Sequence, residues 1–150
     1  MIAGSAHIGS VLHQVLGAGP HLDHVLTVPP GVDVEVLRPR PRAEALAALV
    51  AECRRDAPNP PGRHDPRRPD EGNAERLAAF LADDASAVVY VGKLSREKGV
   101  HLLLDALRSL DARAVIVGFG PERQALEQAA EGRVLFTGAL EHRHLAQLWP

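Results

Sequence analysis

The chain has 150 residues and a net charge of −2, about the size of one ordinary domain and long enough to bury a core. Hydrophobic residues make up 45% and charged residues 24%, as in globular proteins, while aromatics at 3% leave the core to Leu, Val and Ala. The charge balance speaks against nucleic acid as the main partner, and the single cysteine, Cys53, excludes an internal disulfide and fits a reducing compartment.

The N-terminus MIAGSAHIGSVL has neither a basic start nor a long apolar stretch, so it does not read as a secretory signal. Ser5–Leu16 reads as a helix with Ile8, Leu12 and Leu16 on one face. A short apolar run, His24–Val28, follows, then the turn signature PPGVD (Pro29–Asp33). The alternating prolines of RPRPR (Arg38–Arg42) forbid helix and favour extended chain.

Ala43–Cys53 has a helical arrangement of Leu46, Leu49, Val50 and Cys53. Arg54–Gly72 (RRDAPNPPGRHDPRRPDEG) is polar, proline-rich and almost without apolar residues, so a flexible, solvated loop is expected. From Arg54 to Arg68 it carries five Arg and two Asp, a local charge of +3. A helix resumes near Asn73, a good cap residue, with Leu77, Phe80 and Leu81 inward.

The last third is the most regular. SAVVYVG (Ser86–Gly92) reads as a buried strand, and its apolar core, Ala87–Val91, is far too short to span a bilayer. A soluble chain with no transmembrane segment and a cytoplasmic location is the expectation. Val100, Leu103, Leu104 and Leu107 give the i, i+3, i+4, i+7 pattern of an amphipathic helix. RAVIVGFG (Arg113–Gly120) is a second strand, and Pro121 suits the first turn of a helix running to about Ala130. RVLFTG (Arg133–Gly138) is a third strand, and Leu145, Leu148 and Trp149 mark a third helix. Continuous apolar strands alternating with amphipathic helices predict an α/β fold, a parallel sheet with helices on both faces, half of a doubly wound domain and incomplete at three strands.

In parallel sheets ligands bind beyond the carboxyl ends of the strands, so the three strand-to-helix loops are the candidate site. In GKLSREKG (Gly92–Gly99), Gly92 allows close approach to the backbone. Lys93 and Lys98 flank a turn that leads into a helix N-terminus, whose free N–H groups favour anions, and together they make a candidate diphosphate site. Ordinary surface lysines are an equally good reading of that spacing. GFGPER (Gly118–Arg123) is not the GxGxxG fingerprint, since Arg123 stands in place of the third glycine; it is either a plain turn or a glycine-lined floor beneath a nucleotide. FTGALEHRH (Phe136–His144) offers main-chain groups that would read a base edge. His142 and His144 lack metal-ligand spacing and read as solvent-facing, and His7, His13, His21 and His24 as surface or capping residues. No Ser-His-Asp, P-loop or HExxH pattern occurs.

Taken in order, four segments resemble the family-4 (glycosyl transferases group 1) glycosyltransferases of GT-B type. VPPGVDVEVLRP (Val28–Pro39) resembles the stretch leaving the N-terminal domain, and VVYVGKLSREKGVHLLLDAL (Val88–Leu107) the opening of the donor domain. VIVGFGPER and VLFTGALEHRHL resemble its next two strand-to-helix loops. The resemblance implies residues 1–30 as the tail of an N-terminal domain, 31–42 as interdomain linker and 85–150 as the first half of a nucleotide-sugar-binding domain. Residues 43–84, a helix plus a Pro/Arg-rich insertion, lie outside it.

The resemblance further implies a retaining transferase that moves a sugar from a UDP- or GDP-linked donor to an unknown acceptor, without cofactor or metal. It places Gly92, Lys93 and Lys98 on the donor diphosphate, Lys93 where an arginine is usual, and Gly118, Phe119, Gly120 and Leu140 around the nucleotide. Fixed cations and a helix N-terminus would stabilise charge building on the leaving diphosphate. The E-x7-E carboxylates would follow Pro150, and the glycine-rich donor loop and acceptor pocket belong to the N-terminal domain. No catalytic residue is therefore assigned within the chain, which is expected to be inactive alone. A full-length parent would be free to contact a membrane peripherally. Two other readings remain: a non-catalytic nucleotide- or partner-binding remnant, and a nicotinamide-type Rossmann enzyme. The missing GxGxxG, and Val117–Gly118 where an acidic residue should end the second strand, count against the latter.

Overall fold

A computed structural model describes residues 1–17, 19–20, 22–57 and 65–148. The chain divides into two compact units, Met1–Leu37 and Arg38–Pro150.

In the first unit, two short strands, β1 (Ile2–Ala3) and β2 (Leu26–Thr27), pair in parallel around helix α1 (Ala6–Leu16). The expected helix forms, and its start is set by Ser5, whose hydroxyl accepts the Ile8 N–H at 3.2 Å, satisfying a donor the first turn leaves free. Gly9 is its buried residue, with Thr27 the nearest neighbour, whereas Ile8 and Leu16 of the apolar face are exposed. The turn falls just after PPGVD, at 34–36, where the Asp33 carboxylate accepts the N–H groups of Glu35 and Val36.

In the second unit, β3 (Ala87–Val91), β4 (Arg113–Val117) and β5 (Val134–Phe136) form a parallel sheet in the order β3-β4-β5. β4 is the buried centre, with Ile116 opposite Tyr90 on one side and Phe136 on the other. Its alternation sorts the core into two layers. Ala114 and Ile116 face Leu94, Val100, Leu104, Leu107, Leu126 and Phe136, the inward residues of the β3 loop, α4 (Val100–Leu107) and α5 (Arg123–Ala129) among them. Val115 and Val117 face Leu49, Val50, Cys53, Ala74, Leu77 and Leu148, contributed by α2 (Arg42–Cys53), α3 (Asn73–Phe80) and α6 (His142–Leu148). Helices thus cover both faces, as the α/β, Rossmann-like expectation required.

Three details differ from the sequence reading. Gly72, in left-handed backbone at φ 71°, takes the cap position of α3, while Asn73 is buried as the first helical residue and its amide donates to the Thr137 carbonyl at 2.8 Å. Pro121 sits in a turn and α5 begins at Arg123. The stretch 65–72 is tied by main-chain bonds: Pro69 bridges Gly138, the Asp70 N–H donates to Thr137 and the Ala139 N–H to Arg68. Composition does not report such bonds, because any residue but proline can donate them. The rest of the expected loop, residues 58–64, and the expected Trp149 and His21 lie outside the described residues.

Candidate functional site

The carboxyl ends of β3, β4 and β5 bring the three candidate loops side by side, and hydrogen bonds lock them together. The Gly92 N–H donates to Val117, the Leu94 N–H to Phe119 at 2.9 Å and the Glu122 N–H to Leu94 at 3.0 Å, joining the first loop to the second. The Gly118 N–H donates to Gly138 at 2.9 Å, joining the second to the third. The glycines of GFG are explained by this contact. A Cβ on Gly118, whose φ is 139°, would stand 1.9 Å from the Gly92 carbonyl oxygen. One on Gly120 would stand 2.2 Å from the Leu94 oxygen. Both therefore serve the packing of backbone on backbone, and Phe119 between them carries a partly exposed side chain.

Lys93 and Lys98 are both exposed, and neither closes a salt bridge among the described residues. The Lys93 carbonyl accepts the Tyr90 hydroxyl at 3.0 Å, which fixes the backbone where that lysine leaves the strand. Lys98 ends a short 3-10 turn, Arg96–Lys98, and Gly99 turns the chain into α4. Between the lysines, Glu97 has its carboxyl held below the usual range by its own N–H and by Ser95, with help from the charges of Lys93 and Lys98. The loop is therefore cationic with one built-in anion.

The third loop has fewer free groups than the sequence suggested. Ala139 spends its N–H on Arg68 and Thr137 its carbonyl on Asp70 and Asn73, so these are not available to a base. Gly138 is buried, and a Cβ there would lie 2.7 Å from both the Arg68 carbonyl and an Asp70 carboxylate oxygen. Leu140 is half-buried and packs on the α2–α3–α6 core. Asp70, which no sequence motif singled out, and Arg123, the last residue of GFGPER, form a two-pronged ion pair beside these loops, at 2.9 and 2.6 Å. Hydrogen bonding to Asp70 raises the Arg123 pKa. They are 53 positions apart, so no local spacing signals the pair.

His144 is a correction. It is fully buried rather than solvent-facing, while His142 is exposed as expected. Its Nδ1 accepts the Glu141 N–H at 3.1 Å, so the ring hydrogen sits on Nε2 and points at the Asp56 carboxylate 3.0 Å away. Arg143 joins the same cluster, donating to Asp56, to the Glu52 carbonyl and carboxylate and to Glu141, and it holds the Glu52 and Glu141 carboxyls below their usual range. Cys53, Asp56 and His144 bring potential ligand atoms within 4.8 Å of one another. The hydrogen bonds fit a metal poorly, since Nε2 holds the proton a metal would displace and Nδ1 faces a donor. Burial also pushes the Cys53 thiol up to about 11, away from the thiolate a metal would need. The cluster fastens α6 to the end of α2.

No described helix is long and apolar enough to cross a membrane. Residues 85–149, the three strands with their loops, match the family model for glycosyl transferases group 1. The alpha-D-kanosaminyltransferase of Streptomyces kanamyceticus is 32% identical over 120 residues, 73% of this chain and 28% of that protein. A GDP-mannose-dependent alpha-(1-6)-phosphatidylinositol dimannoside mannosyltransferase of Mycobacterium tuberculosis is 44% identical over 63 residues, 38% of this chain and 16% of that protein. The fold is shared with Anabaena Alr3699/HepE, solved with UDP-glucose (TM-score 0.61, 21% identity) and with UDP (TM-score 0.63, 20% identity), each covering 98% of this chain and 34% of that one. The chain thus spans about a third or less of the length of these proteins. Residues 85–149 thus match the glycosyl transferases group 1 family model, and the chain shares the α/β, Rossmann-like fold seen in GT-B glycosyltransferases.

Proposed function

We propose that this chain carries half of the donor site of a retaining glycosyltransferase that takes its sugar from a UDP- or GDP-linked donor. The observation that carries the reading is the coincidence of the family match with the three interlocked loops at the carboxyl ends of β3, β4 and β5. Similar proteins are named as glycosyltransferases, and the fold is that of a protein solved with UDP-glucose.

In this reading Lys93 and Lys98 take the donor diphosphate at the backbone of Gly92, and charge building there as the glycosidic bond breaks is stabilised by cations already in place. Gly118 and Gly120 keep the second loop low enough for the nucleotide to lie over it, with Phe119 against the ligand, and Leu140 offers main-chain contact to the base. No metal or cofactor has a role. The sugar-holding carboxylates and the acceptor pocket lie in other parts of a longer enzyme, so the chain alone transfers no sugar.

The test is titration of the chain with UDP and GDP. Binding is expected, and Lys98→Ala should weaken it about tenfold, the loss of one charge-assisted contact to phosphate. Wild-type binding untouched by Lys98→Ala would remove the diphosphate from this loop.

A further inference from the structure

Resting on the donor-site reading above, we infer that Asp70 is a positioning residue of the donor site: through its ion pair with Arg123 it holds the second and third loops in register, and so sets nucleotide affinity without touching the nucleotide.

Asp70 is fixed to the third loop by its own backbone. Its N–H donates to Thr137 at 2.8 Å, its neighbour Pro69 bridges Gly138, and Arg68 accepts the Ala139 N–H. Its carboxylate then reaches across to Arg123, the first residue of α5, with both prongs of the guanidinium engaged. A two-pronged pair fixes orientation as well as distance. The side chains are 11% and 19% exposed, so water screens the pair little. Arg76 of α3 stands 3.6 Å from the same carboxylate and donates to the Phe136 carbonyl, bracing Asp70 from the strand side.

Arg123 passes the restraint on. Its N–H donates to Gly120, and the adjacent Glu122 N–H donates to Leu94 in the diphosphate loop. One carboxylate thus ends a connected path from the third loop through the second to the first. Gly138 confirms how tight the joint is, because an added Cβ would lie 2.7 Å from an Asp70 oxygen. Without the Asp70 charge, Arg123 keeps, among the described residues, the ion pair with Glu127, an exposed partner one helical turn along α5, which binds Arg123 to its own helix and not to the third loop.

Asp70→Asn, Lys98→Ala and Leu46→Ala are compared in the 150-residue chain by UDP and GDP titration, thermal midpoint and amide hydrogen exchange. Leu46 packs on the α2–α3–α6 core away from the loops and serves as a variant destabilised by packing alone. Asp70→Asn is expected to weaken nucleotide binding about tenfold and to speed exchange at the Gly118 and Ala139 amides, while Leu46→Ala lowers the midpoint and leaves affinity within about twofold. Asp70→Glu, which keeps the charge, should recover part of the affinity. Asp70→Asn binding like wild type, or Leu46→Ala weakening affinity as much, overturns the positioning role while the Lys98→Ala result still stands for the donor site. If the wild-type chain binds neither nucleotide, the donor-site reading fails and the positioning role falls with it.

Discussion

Gly118 shows how a residue can be forced by its neighbours rather than by a ligand. Its missing side chain leaves room for the Gly92 carbonyl, 1.9 Å from where a Cβ would stand, and its φ of 139° is one that side chains rarely adopt. Gly118→Ala should therefore cost about 3 kcal/mol or more in urea denaturation, from backbone strain together with overpacking. Gly132→Ala, at a position with nothing within 4 Å, should change stability by less than about 0.5 kcal/mol. A small or absent loss at Gly118 would mean the two loops separate easily. The sequence marked Gly118 and Gly120 because a GxG after a strand is a local pattern. It left open whether ligand or backbone required them, and what decides is the carbonyls of Gly92 and Leu94, more than twenty residues upstream. Asp70 and His144 were illegible for the same reason, since each is defined by a partner far along the chain.

Among the elements, the strands and most helices were legible because burial imposes periodicity. The alternation of Ala114–Ile116 against Val115–Val117, and the spacing of Val100, Leu104 and Leu107, are visible in the residues themselves. Strand β1 was not, because two residues carry no pattern. The polar part of the contact between α2 and α6 was also hidden: Arg143 and His144 grip Glu52 and Asp56. His144→Ala should destabilise the second unit by about 3 kcal/mol, leaving a cavity and an Asp56 short of one partner. The urea midpoint checks this, and a loss below about 0.5 kcal/mol would show that α6 is held by Arg143 and its apolar contacts without His144.

Across the whole molecule, arginine–carboxylate links tie together elements distant in sequence. Arg143 joins α6 to α2, and Arg113 of β4 reaches the Phe80 carbonyl at the end of α3 and Asp83 just beyond it. Hydrogen bonds from these arginines hold Glu52, Asp83 and Glu141 below their ordinary range. A depressed carboxyl pKa favours the folded state above the unfolded pKa, and that contribution is lost as pH falls through the folded one. Stability should thus be level near neutrality and fall below about pH 4, where free carboxylates begin to protonate. Denaturation midpoints between pH 7 and 3 check it, and an acid limb unchanged in Arg143→Gln would remove that arginine from the account. The fused loops also have a meaning for redesign. Because carbonyl oxygens, not side chains, obstruct Gly118 and Gly120, no compensating mutation nearby can make room for a larger residue at either position. On the proposed donor site, the position of GFG open to variation is Phe119, a partly exposed ring held between two immovable points. A library confined to Phe119 would vary that side chain on an unchanged frame, whereas one spread over all three positions would consist mostly of chains that cannot close.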